Sequence, residues 1–320
     1  MLLDADLDPA PLAGRTVAIV GYGNQGRAQA LNLRDSGVEV RVGLRKGSLR
    51  EAQALAEGLV VRSPTEAVME ADLVFLLAPD EQLAGIYAGI EGTLKPKAAL
   101  GFAHGLCIHY GLIKPRPDLD VIMVAPKGPG AALRRLYGEG HGMVALAAVA
   151  RDVTGQAWPL ALAYARALGC GRADAGVLRS TFEQETISDL FNEAAVVWGA
   201  VPALLEAGFE VLVEAGIDPQ LAYLECVSEL KLLADLVEAR GIAGMREAIS
   251  NTAELGASLG APRLVDEIVK ERMRSVLAEL KGNGFARALM AEANEGYPRL
   301  RAERRKANLS ALEAARKSLM

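Results

Sequence analysis

Cysteine is scarce in this chain: Cys107, Cys170 and Cys226 are the only three among 320 residues. They are too few and too scattered for a disulfide framework or a zinc cage. Aromatic residues make up only 5%, and the mixture suits helices packed on a parallel sheet better than a sandwich of short antiparallel strands. An excess of basic charge is also missing. Lys and Arg number 35 against 40 Asp and Glu, a net charge of −5, which lacks the electrostatic footprint of a general nucleic-acid binder. No run of about 18 apolar residues escapes charge or a breaker, so no membrane span is expected. The opening MLLDADLDPAPLAGR carries acids and prolines in place of a basic start and an apolar run. No signal peptide is expected, and a soluble cytoplasmic protein is the default. Repeats of fixed period and low-complexity tracts are absent. What is plentiful is apolar residue content, at 51%, enough for one or two sizeable cores over a length that allows about two domains.

Residues 16–20, TVAIV, form a β-branched run that ends directly in glycine and predict a buried parallel strand. A helix is expected from about Gln25 to Asp35, stopped by Asp35-Ser36-Gly37. Further strands are expected at 38–44, 72–78, 98–103, 120–125 and 143–149, with helices near 49–57, 80–89 and 156–168. This alternation predicts a Rossmann-like, doubly wound parallel α/β sheet with right-handed crossovers, occupying residues 1–179. After Arg179 the pattern changes. Residues 180–320 carry 3.6-residue periodicity over 183–207, 208–215, 219–239, 242–256, 262–281 and 284–294, and predict an all-α second domain. The basic final stretch, RLRAERRKANLSALEAARKSLM, is expected to be a solvated tail helix.

The first strand runs into Gly21-Tyr22-Gly23-Asn24-Gln25-Gly26 with a helix behind it, which is G-x-G-x-x-G in the context that dinucleotide binding needs. Gly21 permits a tight turn, Gly23 lets a pyrophosphate approach the backbone, and Gly26 allows close helix–strand packing. An NAD site usually has an acid at the end of the second strand, about 20 residues on. None stands at Val40–Leu44; the loop reads Arg45-Lys46-Gly47-Ser48-Leu49-Arg50 instead. Those cations and that hydroxyl suit a 2′-phosphate and favour NADP, a basic surface turn being the alternative. Asp80-Glu81-Gln82-Leu83 follows a strand and is placed to line the other side of the cofactor.

Two carboxylate pairs at i,i+4 spacing stand out in the second domain: Asp189 with Glu193, and Glu225 with Glu229. Each pair shares a helix face among apolar neighbours. Like charges there repel by a few tenths of a kcal/mol, so the pairs call either for a solvated face with Lys231 or Arg179 nearby, or for a cation. Hard oxygen ligands without His or Cys point to Mg²⁺ or Mn²⁺ rather than zinc.

Several long motifs in order give the chain a likeness to a known family. GYGNQGRAQALNLRDSGVEVRVGLRKGS, LAPDEQ, FAHG, VAPKGPG, TFEQETISDLFNEA, YLECVSELKLLADL and ISNTAELG resemble those of ketol-acid reductoisomerase, from about Leu12 to Ala293. The resemblance implies an NADP-dependent enzyme of branched-chain amino-acid biosynthesis that uses two Mg²⁺ ions. Asp189 would bridge the ions, Glu193 would bind one, and Glu225 and Glu229 would complete the shell from a second helix. Ser250 would hold the substrate carboxylate, unless it only caps a helix. His104 and Lys127 would lie between cofactor and metals, and Glu229 would donate a proton. Tyr22 to Gln25, Arg45, Ser48, Arg50, Asp80 to Leu83 and Gly130 would contact NADP. Asn24 stands where the family usually has serine, Arg50 and Glu51 replace Ser and an aromatic residue, and Ala131 replaces a histidine; none of these removes a metal ligand. The expected reaction is alkyl migration in 2-acetolactate or 2-aceto-2-hydroxybutyrate, followed by NADPH reduction. The resemblance also implies a short form whose helical domain interlocks with a second subunit in a knotted fold, as a homodimer or an oligomer of dimers. The rival readings are another NADP-dependent reductase, of hydroxyacid dehydrogenase or pyrroline-5-carboxylate reductase type, and a non-catalytic NADP-binding sensor.

Overall fold

The computed structural model describes all 320 residues, which fold as two compact units, Met1–Thr186 and Ile187–Met320. The first holds an eight-stranded sheet in the order β3-β2-β1-β4-β5-β6-β7-β8. The strands are β1 (Thr16–Val20), β2 (Glu39–Gly43), β3 (Val60–Arg62), β4 (Leu73–Leu76), β5 (Ala99–Phe102), β6 (Asp120–Pro126), β7 (Ala145–Arg151) and β8 (Val177–Arg179). The helices between them are α1 (Asn24–Asp35), α2 (Glu51–Ala56), α3 (Pro64–Met69), α4 (Asp80–Ile90), α5 (Leu106–His109), α6 (Gly130–Gly138) and α7 (Ala157–Ala167). Strands β1 to β6 run parallel, as expected.

Strand β7 corrects the expectation of a wholly parallel sheet, because it lies antiparallel to β6, with Pro126 opposite Ala145. The short helix α6 packs on α1 and returns the chain to the edge it left, so no crossover intervenes. The terminal strands β3 and β8 were not expected; each spans three residues at a sheet edge, and both are mostly solvent-facing. Central strands such as β4 are buried along their whole length because helices cover both sheet faces. There Phe75 stacks flat on Tyr164 of α7, with ring centroids 3.9 Å apart, a contact worth about 1 kcal/mol beyond its buried area. The Tyr164 hydroxyl donates to Gln29 Oε1 at 2.7 Å, which satisfies a polar group in the core.

Helix α8 (Phe182–Ala195) begins in the first unit and continues into the second. The rest is helical: α9 (Ala200–Glu214), α10 (Pro219–Tyr223), α11 (Leu230–Ala248), α12 (Asn251–Leu264), α13 (Glu267–Lys281), α14 (Gly284–Asn294), α15 (Pro298–Asn308) and α16 (Ala311–Ser318). The expected helix 183–207 is broken between Ala195 and Ala200, and Asp266 caps a fresh start within 262–281. The helix expected over 219–239 is interrupted by a π-helical turn at Leu224–Ser228. The tail is not a single solvated helix either. It divides at Ser310, and Ala315 of α16 packs with Phe209 and Ala222. Within Phe182–Glu214, one 18-residue window is apolar enough to cross a membrane by length and composition, with a mean hydropathy of 1.7.

Candidate functional site

The strand order reverses between β1 and β4, and crevices at such switch points, beyond the carboxyl ends of the strands, are where open α/β sheets bind ligands. A cavity of about 290 Å³ opens there, lined by Gly23, Asn24, Gln25, Asp80, Leu83 and His104 among others. A larger cavity of about 640 Å³ sits beside the amino ends of β1 and β2, lined by Arg15, Glu39 and Arg172 among others, and contains none of the expected site residues. Its size counts for less than the chemistry at the switch point.

The glycine turn is shaped as its motif requires. Gly21 has φ +106°, and a Cβ there would come within 2.5 Å of the Leu77 carbonyl oxygen. A Cβ on Gly26 would come within 2.3 Å of the Gly21 carbonyl oxygen, whereas one on Gly23 would meet nothing within 4 Å. Gly23 is therefore the open face, and it is the N-cap of α1 with no side chain on the first amides of the helix. Those amides and the helix dipole form an anion site. Asn24 Oδ1 accepts from the Ala131 amide at 3.0 Å, and Gln25 Nε2 donates to the Gly128 carbonyl at 2.9 Å. Both side chains thus fasten the turn to the segment that leads into Gly130. The Tyr22 side chain is buried and donates to Glu57 Oε2 at 2.6 Å. Burial, and then the Glu57 carboxylate, push its hydroxyl well above the usual phenol range.

Arg45, Ser48 and Arg50 lie on the loop between β2 and α2, with both arginines exposed. Ser48 Oγ accepts from the Arg50 amide at 3.3 Å. Glu51 opens α2, where a carboxylate complements the helix dipole. Asp80 and Glu81 stand in the first turn of α4, Leu83 is buried, and Gln82 faces solvent. Beside them Cys107 is buried, and burial together with the charges of Asp80 and Glu81 pushes its thiol up to about 12.

His104 follows β5 and Lys127 follows β6. Glu185 on the first turn of α8, only 1% exposed, gathers them. His104 Nδ1 lies 3.1 and 3.0 Å from its two carboxylate oxygens, and the Gly105 amide donates to Oε2 at 2.8 Å. Lys127 Nζ stands 4.0 Å from Oε1. Glu185 was missed from the sequence. The available signal was its spacing: Glu185, Asp189 and Glu193 form an i,i+4,i+8 ladder along one face of α8.

Glu225 lies inside the π-helical turn and Glu229 directly after it, both exposed. π-turns within helices are frequent at functional sites. Ser250 caps α12, its Oγ accepting from the Ala253 amide at 3.2 Å. Within one chain, Asp189, Glu193, Glu225 and Glu229 do not gather three or more carboxylates within ligand-sharing distance. All four offer hard oxygen donors of the kind Mg²⁺ prefers.

A dinucleotide turn at the switch point, a cationic loop suited to a 2′-phosphate, and a His–Lys–carboxylate cluster beside them define an NADP-dependent oxidoreductase of Rossmann type. The chain matches acetohydroxy acid isomeroreductase, NADPH-binding domain, over residues 11–174, and ketol-acid reductoisomerase, C-terminal domain, over residues 182–320. It belongs to the ketol-acid reductoisomerase family of Mg²⁺-dependent enzymes of branched-chain amino-acid biosynthesis, most of which use NADP(H). A ketol-acid reductoisomerase (NADP(+)) of Saccharopolyspora erythraea is 50% identical over 317 residues, covering 99% of this chain and 95% of the relative. That of Kineococcus radiotolerans is 48% identical over 320 residues, covering 100% and 93%. The solved structure of an NADH-preferring ketol-acid reductoisomerase from an uncultured archaeon superposes with a TM-score of 0.95 at 41% identity, covering 99% and 97%. A pyrroline-5-carboxylate reductase from Coxiella burnetii shares the fold alone, with a TM-score of 0.57 at 15% identity over 83% and 97%.

Proposed function

We propose that this chain converts 2-acetolactate and 2-aceto-2-hydroxybutyrate into 2,3-dihydroxy-3-methyl acids by alkyl migration followed by NADPH reduction. The observation that carries this assignment of roles is the buried Glu185, which holds His104 and sits beside Lys127 at the head of the α8 carboxylate ladder. When bound, NADPH supplies the hydride and Mg²⁺ the Lewis acidity for the migration.

The chain's own groups do the rest. The open face at Gly23 and the first amides of α1 hold the pyrophosphate, Arg45, Ser48 and Arg50 take the 2′-phosphate, and Asp80 to Leu83 with Gly130 flank the remainder of the cofactor. Asp189, Glu193, Glu225 and Glu229 are the cation ligands. Glu185 fixes the His104 ring and keeps the Lys127 ammonium nearby, so that both present fixed charge and donors to the reacting oxygens. Glu229 passes a proton to the product oxygen. Ser250 Oγ, oriented by its cap bond, receives the substrate carboxylate.

Dimerisation completes this site. The helical unit leaves Trp198, Leu204, Leu232, Leu255 and Leu259 exposed, and among its large side chains it buries few beyond Ile187, Leu190, Phe209 and Leu280. An apolar surface of that extent calls for a partner. A second copy sets Asp189 and Glu193 of one subunit against Glu225, Glu229 and Ser250 of the other. The three free cysteines suit a reducing, cytoplasmic compartment. The test is NADPH oxidation with 2-acetolactate, with and without Mg²⁺, repeated with NADH. Metal-dependent oxidation is expected; its absence overturns the reading.

A further inference from the structure

In the cofactor reading above, the glycine turn grips the pyrophosphate and the loop 45–50 grips the adenosine end. The two belong to different strand–helix units, and helix α2 with the side chains bonded at its end joins them. Arg50 Nη1 donates to Gln53 Oε1 at 3.4 Å. The Ala54 amide donates to the Arg50 carbonyl at 3.0 Å and the Glu57 amide to the Gln53 carbonyl at 3.0 Å, so helix α2 runs from the loop to Glu57. Glu57 Oε2 accepts the Tyr22 hydroxyl at 2.6 Å. Arg27 completes the junction as a fork, with Nε 2.9 Å from Oε1 and 3.1 Å from Oε2, and Nη2 2.5 Å from Oε1. Tyr22 is the residue between the first two glycines, and the Arg27 amide closes the first turn of α1 onto the Gly23 carbonyl at 3.0 Å. One carboxylate, carried at the end of the helix that starts from the loop, is therefore bonded to the turn.

Helix α2 has only six residues, too short to hold its own geometry in water. The position of Arg50 therefore depends on tethers such as this one. We propose that Glu57 is a positioning residue for the cofactor, setting the spacing between the pyrophosphate turn and the 2′-phosphate loop. This rests on the NADP reading of the site. It assigns part of the preference for NADPH to a carboxylate that ties the loop's helix to the turn rather than to the phosphate-binding side chains alone.

The experiment measures KM for NADPH and for NADH, kcat and Tm in Glu57→Ala, Glu57→Gln and the double variant Tyr22→Phe/Glu57→Ala. Glu57→Ala should raise the NADPH KM on the order of tenfold and the NADH KM by less than about threefold, with kcat at saturation little changed. Glu57→Gln keeps an acceptor for Tyr22 but loses the ionic fork, and should fall between. The double variant should add nothing to Glu57→Ala, because both act through one junction. Equal rises in the two KM values, or a fall in Tm with both KM values unchanged, overturn the inference. Wild-type protein that fails to bind NADPH overturns the underlying reading instead.

Discussion

The two glycines of the cofactor turn should respond to alanine in opposite ways. At Gly26 a new Cβ would sit 2.3 Å from the Gly21 carbonyl oxygen and 3.0 Å from its carbon. Both neighbours are backbone, so no side chain can swing aside, and α1 must move away from the end of β1 by roughly 1 Å to restore ordinary contact. Overpacking of that kind costs about 1–3 kcal/mol. For a unit of this size, each kcal/mol lowers Tm by about 2–4 °C. Gly26→Ala should therefore lose several degrees and weaken NADPH binding as a consequence. At Gly23 the Cβ meets nothing within 4 Å. The cost to the fold is confined to replacing a glycine N-cap, about 1 kcal/mol. The methyl group would instead occupy the space assigned to the pyrophosphate, and the NADPH KM should rise at least about tenfold. Calorimetry paired with fluorescence titration of NADPH separates the two. If Gly23→Ala binds NADPH like wild type, the pyrophosphate does not lie there. If Gly26→Ala melts like wild type, the packing argument fails.

Glu185→Gln replaces a charged acceptor with a neutral one for His104 and Gly105, a loss of about 1 kcal/mol in the network; kcat/KM for 2-acetolactate should fall on the order of tenfold, with unchanged NADPH affinity by titration as the control. EDTA should abolish turnover of 2-acetolactate while NADPH still quenches protein fluorescence. Mixing inactive Asp189→Asn with inactive Glu229→Gln, after denaturation and refolding together, should restore activity through heterodimers carrying one intact shared site; no recovery refutes subunit sharing. The thiols of Cys107 and Cys170 are both pushed up to about 12 by burial, from an ordinary 9.0. Neither should react with iodoacetamide at pH 8 in the folded state. Because the folded values are raised, their contribution to stability is complete below pH 9 and is lost as pH climbs towards 12, which alkaline melting curves will show.

Local signals were the readable ones. Strand β1, its glycine turn and α1 were legible because strand, turn and helix start follow one another within twenty residues. The direction of β7 was not, since an alanine-rich run has the same side-chain pattern whether it enters the sheet parallel or antiparallel. Edge strands β3 and β8 have three residues each and too little burial to carry an apolar signature. The residues of the proposed site were found one by one, from motif and spacing, but their partners were not. Glu185 lies 81 residues from His104, and Glu57 lies 35 from Tyr22, separations at which no periodicity connects two side chains. Ser250 was legible as a cap and is one. The two carboxylate pairs were legible as pairs; their convergence, on the reading above, belongs to two copies of the chain and is written in neither alone.

The π-helical turn at Leu224–Ser228 makes that stretch sensitive to residue count as well as residue identity. One residue more than an α-turn is wound into it, so deleting a single position there would let the segment relax to ordinary winding. The helix on either side would keep its place, but Glu225 and Glu229 would stand three positions apart on an α-helix instead of four across a π-turn, and the bulge between them would be gone. For this segment an alignment that preserves every acid but miscounts one neighbour would describe a different surface.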